Sequence, residues 1–261
     1  MTKGVSSEPW EGNPTPRIAE SYGGVLNSVG LENKGAEWYR SSELPFLRGY
    51  DTKIITNLAG HSVGEYVEVT RLLNNCEEIA MFELNISCPN VSAGGMAFGT
   101  DPEAAAEVIR AVRKETSKPL IVKLTPNVTD ITVVAQAVED AGADAVSLIN
   151  TLLGMAIDLR RRSTVLARKV GGFSGPAVKP VALRMVWQTA QAVSIPVIGI
   201  GGIQSGTDVV EFLAAGASAV GIGTAALMDP LAMVRIKSEL IDYMAENQFN
   251  SIRQLKQAFT I

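Results

Sequence analysis

Two helix-to-strand junctions in this chain are near copies: Ala141-Gly142-Ala143-Asp144-Ala145-Val146 and Ala215-Gly216-Ala217-Ser218-Ala219-Val220. Each puts a glycine where a helix must stop in a left-handed turn before a strand begins. They lie 74 residues apart, which is two periods of about 37, the length of one strand–helix unit in a (β/α)8 barrel. From Lys53 onward short β-branched runs alternate with amphipathic stretches. The strands expected are Lys53–Leu58, Ala80–Ile86, Leu120–Leu124, Ala145–Ile149, Val197–Ile200 and Ala219–Ile222.

The helices between them carry their own end signals. Asp101-Pro102-Glu103 caps one whose inner face is Ala105, Val108, Ile109 and Val112. Thr129-Asp130 opens the next, with Ile131, Val134, Ala135 and Val138 inward. Pro180 belongs to a first turn, followed at helical spacing by Leu183, Val186, Trp187, Ala190 and Val193. Ser205-Gly206-Thr207-Asp208 has the pattern of a capping box. The segment Ile157 to Val170 interrupts the rhythm, with Arg160-Arg161-Arg162 at a hairpin tip, and Pro230 to Ile261 reads as helical.

The front of the chain is different. Lys3-Gly4-Val5 has the form of a strand tail, and the rest of Met1 to Ser42 reads as a long, proline-punctuated, substrate-facing loop. Six strands and that tail make seven at most, while a closed barrel needs eight. Either the sheet is open or a first βα unit is absent.

Bulk properties narrow the chemistry. With 23 Lys and Arg against 27 Asp and Glu, the formal charge is −4, which disfavours a nucleic-acid binder. No long apolar run or signal peptide is present, so the expectation is a soluble, cytoplasmic protein with no membrane contact. The two cysteines, Cys76 and Cys88, have no metal-ligand spacing and suit a reducing compartment. His61 is the single histidine, which removes most Ser-His, Cys-His and His-metal arrangements.

The richest stretch is Glu83-Leu84-Asn85-Ile86-Ser87-Cys88-Pro89-Asn90, a buried strand running into a polar loop. Pro89 ends the ladder because it has no N–H to donate. A strand-end cysteine alone is more often a small hydrophobe. Here two carboxamides and the nearby Gly94, Gly95 and Gly99 make a reactive thiol on an active-site loop the better reading. Asn57, Asn85, Lys123, Asn150 and Thr151 all fall at strand ends on one expected rim. A lysine near the end of a buried strand calls for an anion. Gly199-Ile200-Gly201-Gly202 and Gly221-Ile222-Gly223-Thr224 end consecutive strands, where barrels bind phosphate. A flat phosphorylated cofactor fits these features, and without a dinucleotide fingerprint that points to FMN. A phosphosugar barrel would use the same glycines without needing Cys88.

These same residues, with Lys123-Leu124-Thr125-Pro126-Asn127, Ile149-Asn150-Thr151 and Gly171-Gly172-Phe173-Ser174-Gly175-Pro176, resemble dihydroorotate dehydrogenases. Asn13-Pro14-Thr15-Pro16-Arg17 and the run Gly94 to Asp101 look like the class 1B catalytic subunit. The resemblance implies oxidation of dihydroorotate to orotate in pyrimidine biosynthesis, with FMN bound. It also implies a partner subunit carrying FAD and an iron–sulfur cluster that hands electrons to NAD, and a homodimer within a heterotetramer. By the same resemblance Cys88 is the catalytic base. Lys3, Asn27, Ser28, Val29, Gly30, Leu31, Asn85, Asn90, Asn150 and Thr151 surround the substrate. Lys3, Gly4, Asn57, Asn85, Lys123, Ile149 and Gly175 hold FMN, with Gly201, Gly202, Gly223 and Thr224 around its phosphate. No metal is implied. Relatives have a βα unit ahead of the strand that ends at Lys3. The expectation is therefore one FMN-binding TIM-barrel domain over 1–261, N-terminally short by about one βα unit. Another pyrimidine-reducing FMN enzyme, or an inactive truncated remnant, would share these motifs.

Overall fold

The computed structural model describes residues 1–87 and 98–261. In chain order its strands are β1 (Ile18–Ser21), β2 (Gly24–Asn27), β3 (Ile54–Leu58), β4 (Ile79–Asn85), β5 (Leu120–Lys123) and β6 (Ala145–Leu148). They continue with β7 (Leu152–Met155), β8 (Ile157–Asp158), β9 (Ser163–Thr164), β10 (Val170–Ser174), β11 (Val197–Ile200) and β12 (Ala219–Gly221). The α-helices are α1 (Gly35–Trp38), α2 (Leu44–Leu47), α3 (Val63–Leu73), α4 (Pro102–Arg113) and α5 (Ile131–Asp140). After them come α6 (Lys179–Ala192), α7 (Gly206–Ala214), α8 (Thr224–Met228), α9 (Ala232–Glu246) and α10 (Ile252–Gln257). All six strands expected from the βα rhythm are present, within one residue at each end. The chain forms two units: Met1–Pro14 with Val29–Val146, and Thr15–Ser28 with Ser147–Ile261.

In the first unit β3, β4 and β5 run parallel, with Asn57 opposite Glu83 and Asn85 opposite Lys123. The strand tail at Lys3 is confirmed. Val5 makes a parallel bridge to Leu58, and the N–H groups of Thr2 and Val5 donate to the carbonyls of Ile55 and Asn57. Period-2 alternation sends Phe82 and Leu84 of β4 to one face and Glu83 and Asn85 to the other. The helices start on side-chain caps: Ser62 accepts from Glu65 N–H, Asp101 from Ala104 N–H and Asp130 from Thr132 N–H. Their inward residues, including Val69, Leu73, Val108, Ile109, Val112, Val134 and Val138, are fully or almost fully buried. Each such side chain contributes about 1.5–3 kcal/mol.

In the second unit β11 and β12 are parallel, with Gly199 opposite Val220. The capping box on α7 is formed, Ser205 and Asp208 each accepting the other's backbone N–H. A four-stranded antiparallel sheet, in the order β1-β2-β10-β7, accompanies them. The expected hairpin is there as β8 and β9, with Arg160, Arg161 and Arg162 at its tip.

Two expectations need correction. The front stretch is not a structureless loop, since it contains the β1–β2 hairpin, α1 and a π-helical turn at Tyr39–Glu43. The hairpin signal is Tyr22-Gly23, where Gly23 takes φ +74° and lets the strands turn back in two residues. The inward face of α6 is also rotated. Ala182, Met185, Val186 and Thr189 are buried, whereas Trp187 is 40% exposed. Leu183 and Trp187 line an apolar groove of about 580 Å³ with Val210, Ala214 and Tyr243. Among the described residues no helix is long and apolar enough to cross a membrane.

Candidate active site

Cys88 and Asn90 lie outside the described residues, as does most of the glycine-rich stretch after them. In the first unit the polar ends of three parallel strands form one cluster. Asn57 is buried and donates its amide to the Glu83 carboxylate, which is itself fully buried. A Cβ at Gly4 would lie 3.0 Å from Asn57 Oδ1, so the glycine leaves that amide its room. Asn85 is held from two sides. Tyr66 Oη donates to its carbonyl at 2.7 Å, and Ser87 Oγ lies 2.6 Å from its Oδ1.

Lys123, opposite Asn85 at the end of β5, is half-buried. No hydrogen bond or ion pair engages its ammonium among the described residues. An unpaired, partly desolvated cation beside a fixed carboxamide is a site for an anion. Lys3 is exposed and borders a small cavity of about 140 Å³ with Gly4, Asn33 and Tyr39. The turn at Val29-Gly30-Leu31 belongs to this unit as well. Asn13 N–H donates to Val29 O at 2.9 Å, and Gly30 and Leu31 both take positive φ, +78° and +56°.

In the second unit two further groups form. Asn27 Nδ2 reaches Gly172 O at 3.4 Å, and a Cβ on Gly172 would collide with Thr151 Oγ1. Asn150 Oδ1 accepts from Thr151 N–H at 2.8 Å. Asn27, Asn150 and Thr151 are thus gathered around one glycine of β10. Ser28 joins them through its neighbour, its N–H donating to Arg17 O at 2.8 Å.

The glycine loops make the other group. Ile149 N–H donates to Ile200 O at 2.8 Å, and its side chain lies against Gly201. A Cβ on Gly202 would meet Gly175 O at 2.9 Å, and Thr224 Oγ1 lies 2.9 Å from Ser174 Oγ. Gly175, Gly202 and Thr224 are brought together in this way. The N–H groups of Thr224 and Ala225 open α8 and have no acceptor within the helix. A Cβ built on Gly223 meets nothing within 4 Å. Open space beside bare N–H donors is what a phosphate needs.

Two other reactive groups have surroundings of their own. Burial pushes the Cys76 thiol above its ordinary value, helped by the nearby Glu78 carboxylate, so this sulfur stays protonated. His61 stacks on Trp10 with ring centroids 4.0 Å apart, its Nδ1 3.5 Å from Glu65 Oε2. Among the described residues no cluster suits a metal ion. Sequence reasoning missed Glu83, Tyr66 and Ser174 as supports. A glutamate inside an apolar strand was a readable signal for the first; the other two had none.

The family model for dihydroorotate dehydrogenase matches residues 1–244. The chain is 55% identical over 261 residues to the dihydroorotate dehydrogenase B (NAD(+)) catalytic subunit of Geotalea daltonii, an alignment covering all of this chain and 86% of that one. Catalytic subunits of the same name from Alkaliphilus metalliredigens and Alkaliphilus oremlandii are 54% and 56% identical, across 98% of this chain and 84% of theirs. The (β/α)8 barrel read from the strand–helix period is that family's fold. With the model matching nearly end to end and more than half of all positions shared, the chain belongs to the dihydroorotate dehydrogenase family.

Proposed function

We propose that this chain is a dihydroorotate dehydrogenase catalytic subunit, a single FMN-binding domain that oxidises dihydroorotate to orotate for pyrimidine synthesis. Its electrons leave through a partner subunit with FAD and an iron–sulfur cluster, on to NAD. The assembly is a homodimer of catalytic subunits within a heterotetramer, and delivery to NAD fits a cytoplasmic reaction. The observation that carries this reading is the 54–56% identity to catalytic subunits of that name, spread over the whole chain. The alternatives gain nothing from these relatives.

FMN fits the residues present. The Lys123 ammonium, without a partner among the described residues, suits the negative charge of a reduced flavin, and the Gly201, Gly202, Gly223 and Thr224 group suits its phosphate. Gly4, Asn57, Asn85, Ile149 and Gly175 would hold the rest of it. FMN, when bound, supplies the acceptor for the hydride that leaves the substrate's 6-position.

The protein's own groups would do the rest. Cys88, as the general base, removes the proton at the 5-position. Carboxamides from Asn27, Asn85, Asn90 and Asn150, with Thr151, match the donors and acceptors of a flat imide ring. Lys3 offers a cation to the substrate carboxylate, and the Ser28 to Leu31 backbone closes over it. Glu83 fixes the Asn57 amide and Ser87 the Asn85 amide, so both would meet the ring already oriented.

The test is anaerobic titration of the protein, purified with its partner subunit. A flavin absorbance band bleached by dihydroorotate supports the reading. A colourless protein, or a flavin that dihydroorotate leaves oxidised, contradicts it.

A further inference from the structure

Leu31 is a bulky residue held at φ +56°, a region such side chains rarely adopt, and it directly follows Gly30 at φ +78°. Such a conformation persists only where its surroundings over-determine it. One side chain outside the proposed substrate residues restrains the Leu31 end of the turn. Asn33 Nδ2 donates to Leu31 O at 2.9 Å and to Ser6 Oγ at 2.8 Å. Asn33 Oδ1 accepts from Gly35 N–H at 2.9 Å and from Ser6 N–H at 3.2 Å. Its backbone pairs with Trp10 in both directions, at 2.9 and 3.0 Å.

Each of these bonds has a consequence for the site. Ser6 is buried and follows the strand tail that carries Lys3 and Gly4. The Leu31 side chain lies 3.6 Å from where a Cβ on Gly4 would be. Asn33 therefore ties the left-handed turn to the end of the strand it faces. An aspartate would keep both N–H contacts but lose the donor to Leu31 O. A glutamine would carry the amide one carbon too far. Only asparagine has the donor and the acceptor at this reach.

We propose that Asn33 is a positioning residue that holds the Gly30-Leu31 turn in the shape dihydroorotate binds. The inference rests on the reading of that turn as part of the substrate site. It is tested with Asn33→Asp in the flavin-loaded complex, alongside Gly30→Ala. Asn33→Asp is expected to raise the KM for dihydroorotate about tenfold while kcat stays within about twofold and flavin content is unchanged. An unchanged KM in Asn33→Asp, with Gly30→Ala raising it, would overturn the role of Asn33 and leave the substrate site standing. Unchanged KM in both variants would remove the turn from the substrate site. Loss of flavin or of cooperative unfolding in Asn33→Asp would make the residue a structural tie and overturn the proposal too.

Discussion

Asn57 and Glu83 stand opposite one another on adjacent parallel strands, and the Asn57 amide donates to a carboxylate that water does not reach. Glu83 keeps further contacts, so losing this one weakens its support without stranding it. Asn57→Leu is expected to cost about 1–3 kcal/mol, the usual penalty for removing a partner from a buried charged acceptor. Urea unfolding measures it, and an unshifted midpoint would show that the other contacts satisfy the carboxylate alone.

Cys88→Ala should keep the flavin and lower turnover by roughly 10²–10⁴-fold, the size of a general-base contribution. Cys88→Ser should retain a trace of activity that rises toward high pH. Flavin reduction by dihydroorotate at the original rate in Cys88→Ala would remove the cysteine from the mechanism. Cys76→Ser, at a thiol held protonated by burial, should leave turnover alone.

Lys123 has no partner among the described residues, so Lys123→Met removes a half-buried cation without breaking a bond. Stability should hold or rise, because an uncompensated charge disfavours burial. The flavin potential should fall, since nothing then offsets the negative charge of the reduced form. Thermal unfolding and spectroelectrochemical titration read the two effects separately. A lower melting temperature with an unchanged potential would contradict both.

Two glycines of the proposed phosphate site should respond differently to the same change. Gly201→Ala puts a methyl 2.6 Å from the buried Ala182 Cβ at φ +140°, so about 1–3 kcal/mol of stability should be lost. Gly223→Ala meets nothing within 4 Å and should fold normally. Its effect should fall on FMN affinity alone, read by flavin fluorescence on dilution. Undiminished affinity in Gly223→Ala would exclude that glycine from the phosphate site.

The sequence disclosed most where a short-range rule decides the outcome. The caps at Asp101, Asp130 and Ser205, and the strand ends at Asn57, Asn85 and Lys123, follow from neighbouring residues. It disclosed least where partners are far apart. The sheet that gathers Asn27 with Thr151 depends on β10, whose Val170-Gly171-Gly172-Phe173-Ser174 has little strand propensity of its own. Its glycines serve contact, because at Gly172 a side chain would displace Thr151. The turned face of α6 was hidden for another reason: Thr189 and Met185 go inward in place of Trp187, and helical spacing alone does not choose between adjacent stripes.

The stability–pH profile should have a defined acid limb. Burial would push the Asp208 carboxyl up, but hydrogen bonds from Lys179 and from the N–H of Gln204 hold it below its usual 3.8. Lys179, 2.6 Å away, is raised above its usual 10.5 chiefly by that same bond. A depressed carboxyl contributes above its unfolded value and loses that contribution as pH falls through the folded one. A raised ammonium contributes below its unfolded value and loses it as pH climbs through the folded one. This pair therefore supports the fold fully between about pH 4 and 10. Asp208→Asn keeps a capping side chain and should flatten the acid limb below about pH 4, measured by urea unfolding across pH. An acid limb identical to the parent's would assign it to other carboxylates.

The antiparallel sheet also sets an order of events during synthesis. Asn27 and Gly172, paired across β2 and β10, are separated by 145 residues. At about 5–20 residues per second, the ribosome delivers β10 roughly 7–30 s after β2 has emerged. A two-stranded hairpin is marginal in water by itself, so for that interval β1 and β2 are nascent chain without a lasting partner. The earliest-made strands of this sheet are among the last to be secured, and Asn27, proposed for the substrate site, is set in place only once β10 has been made.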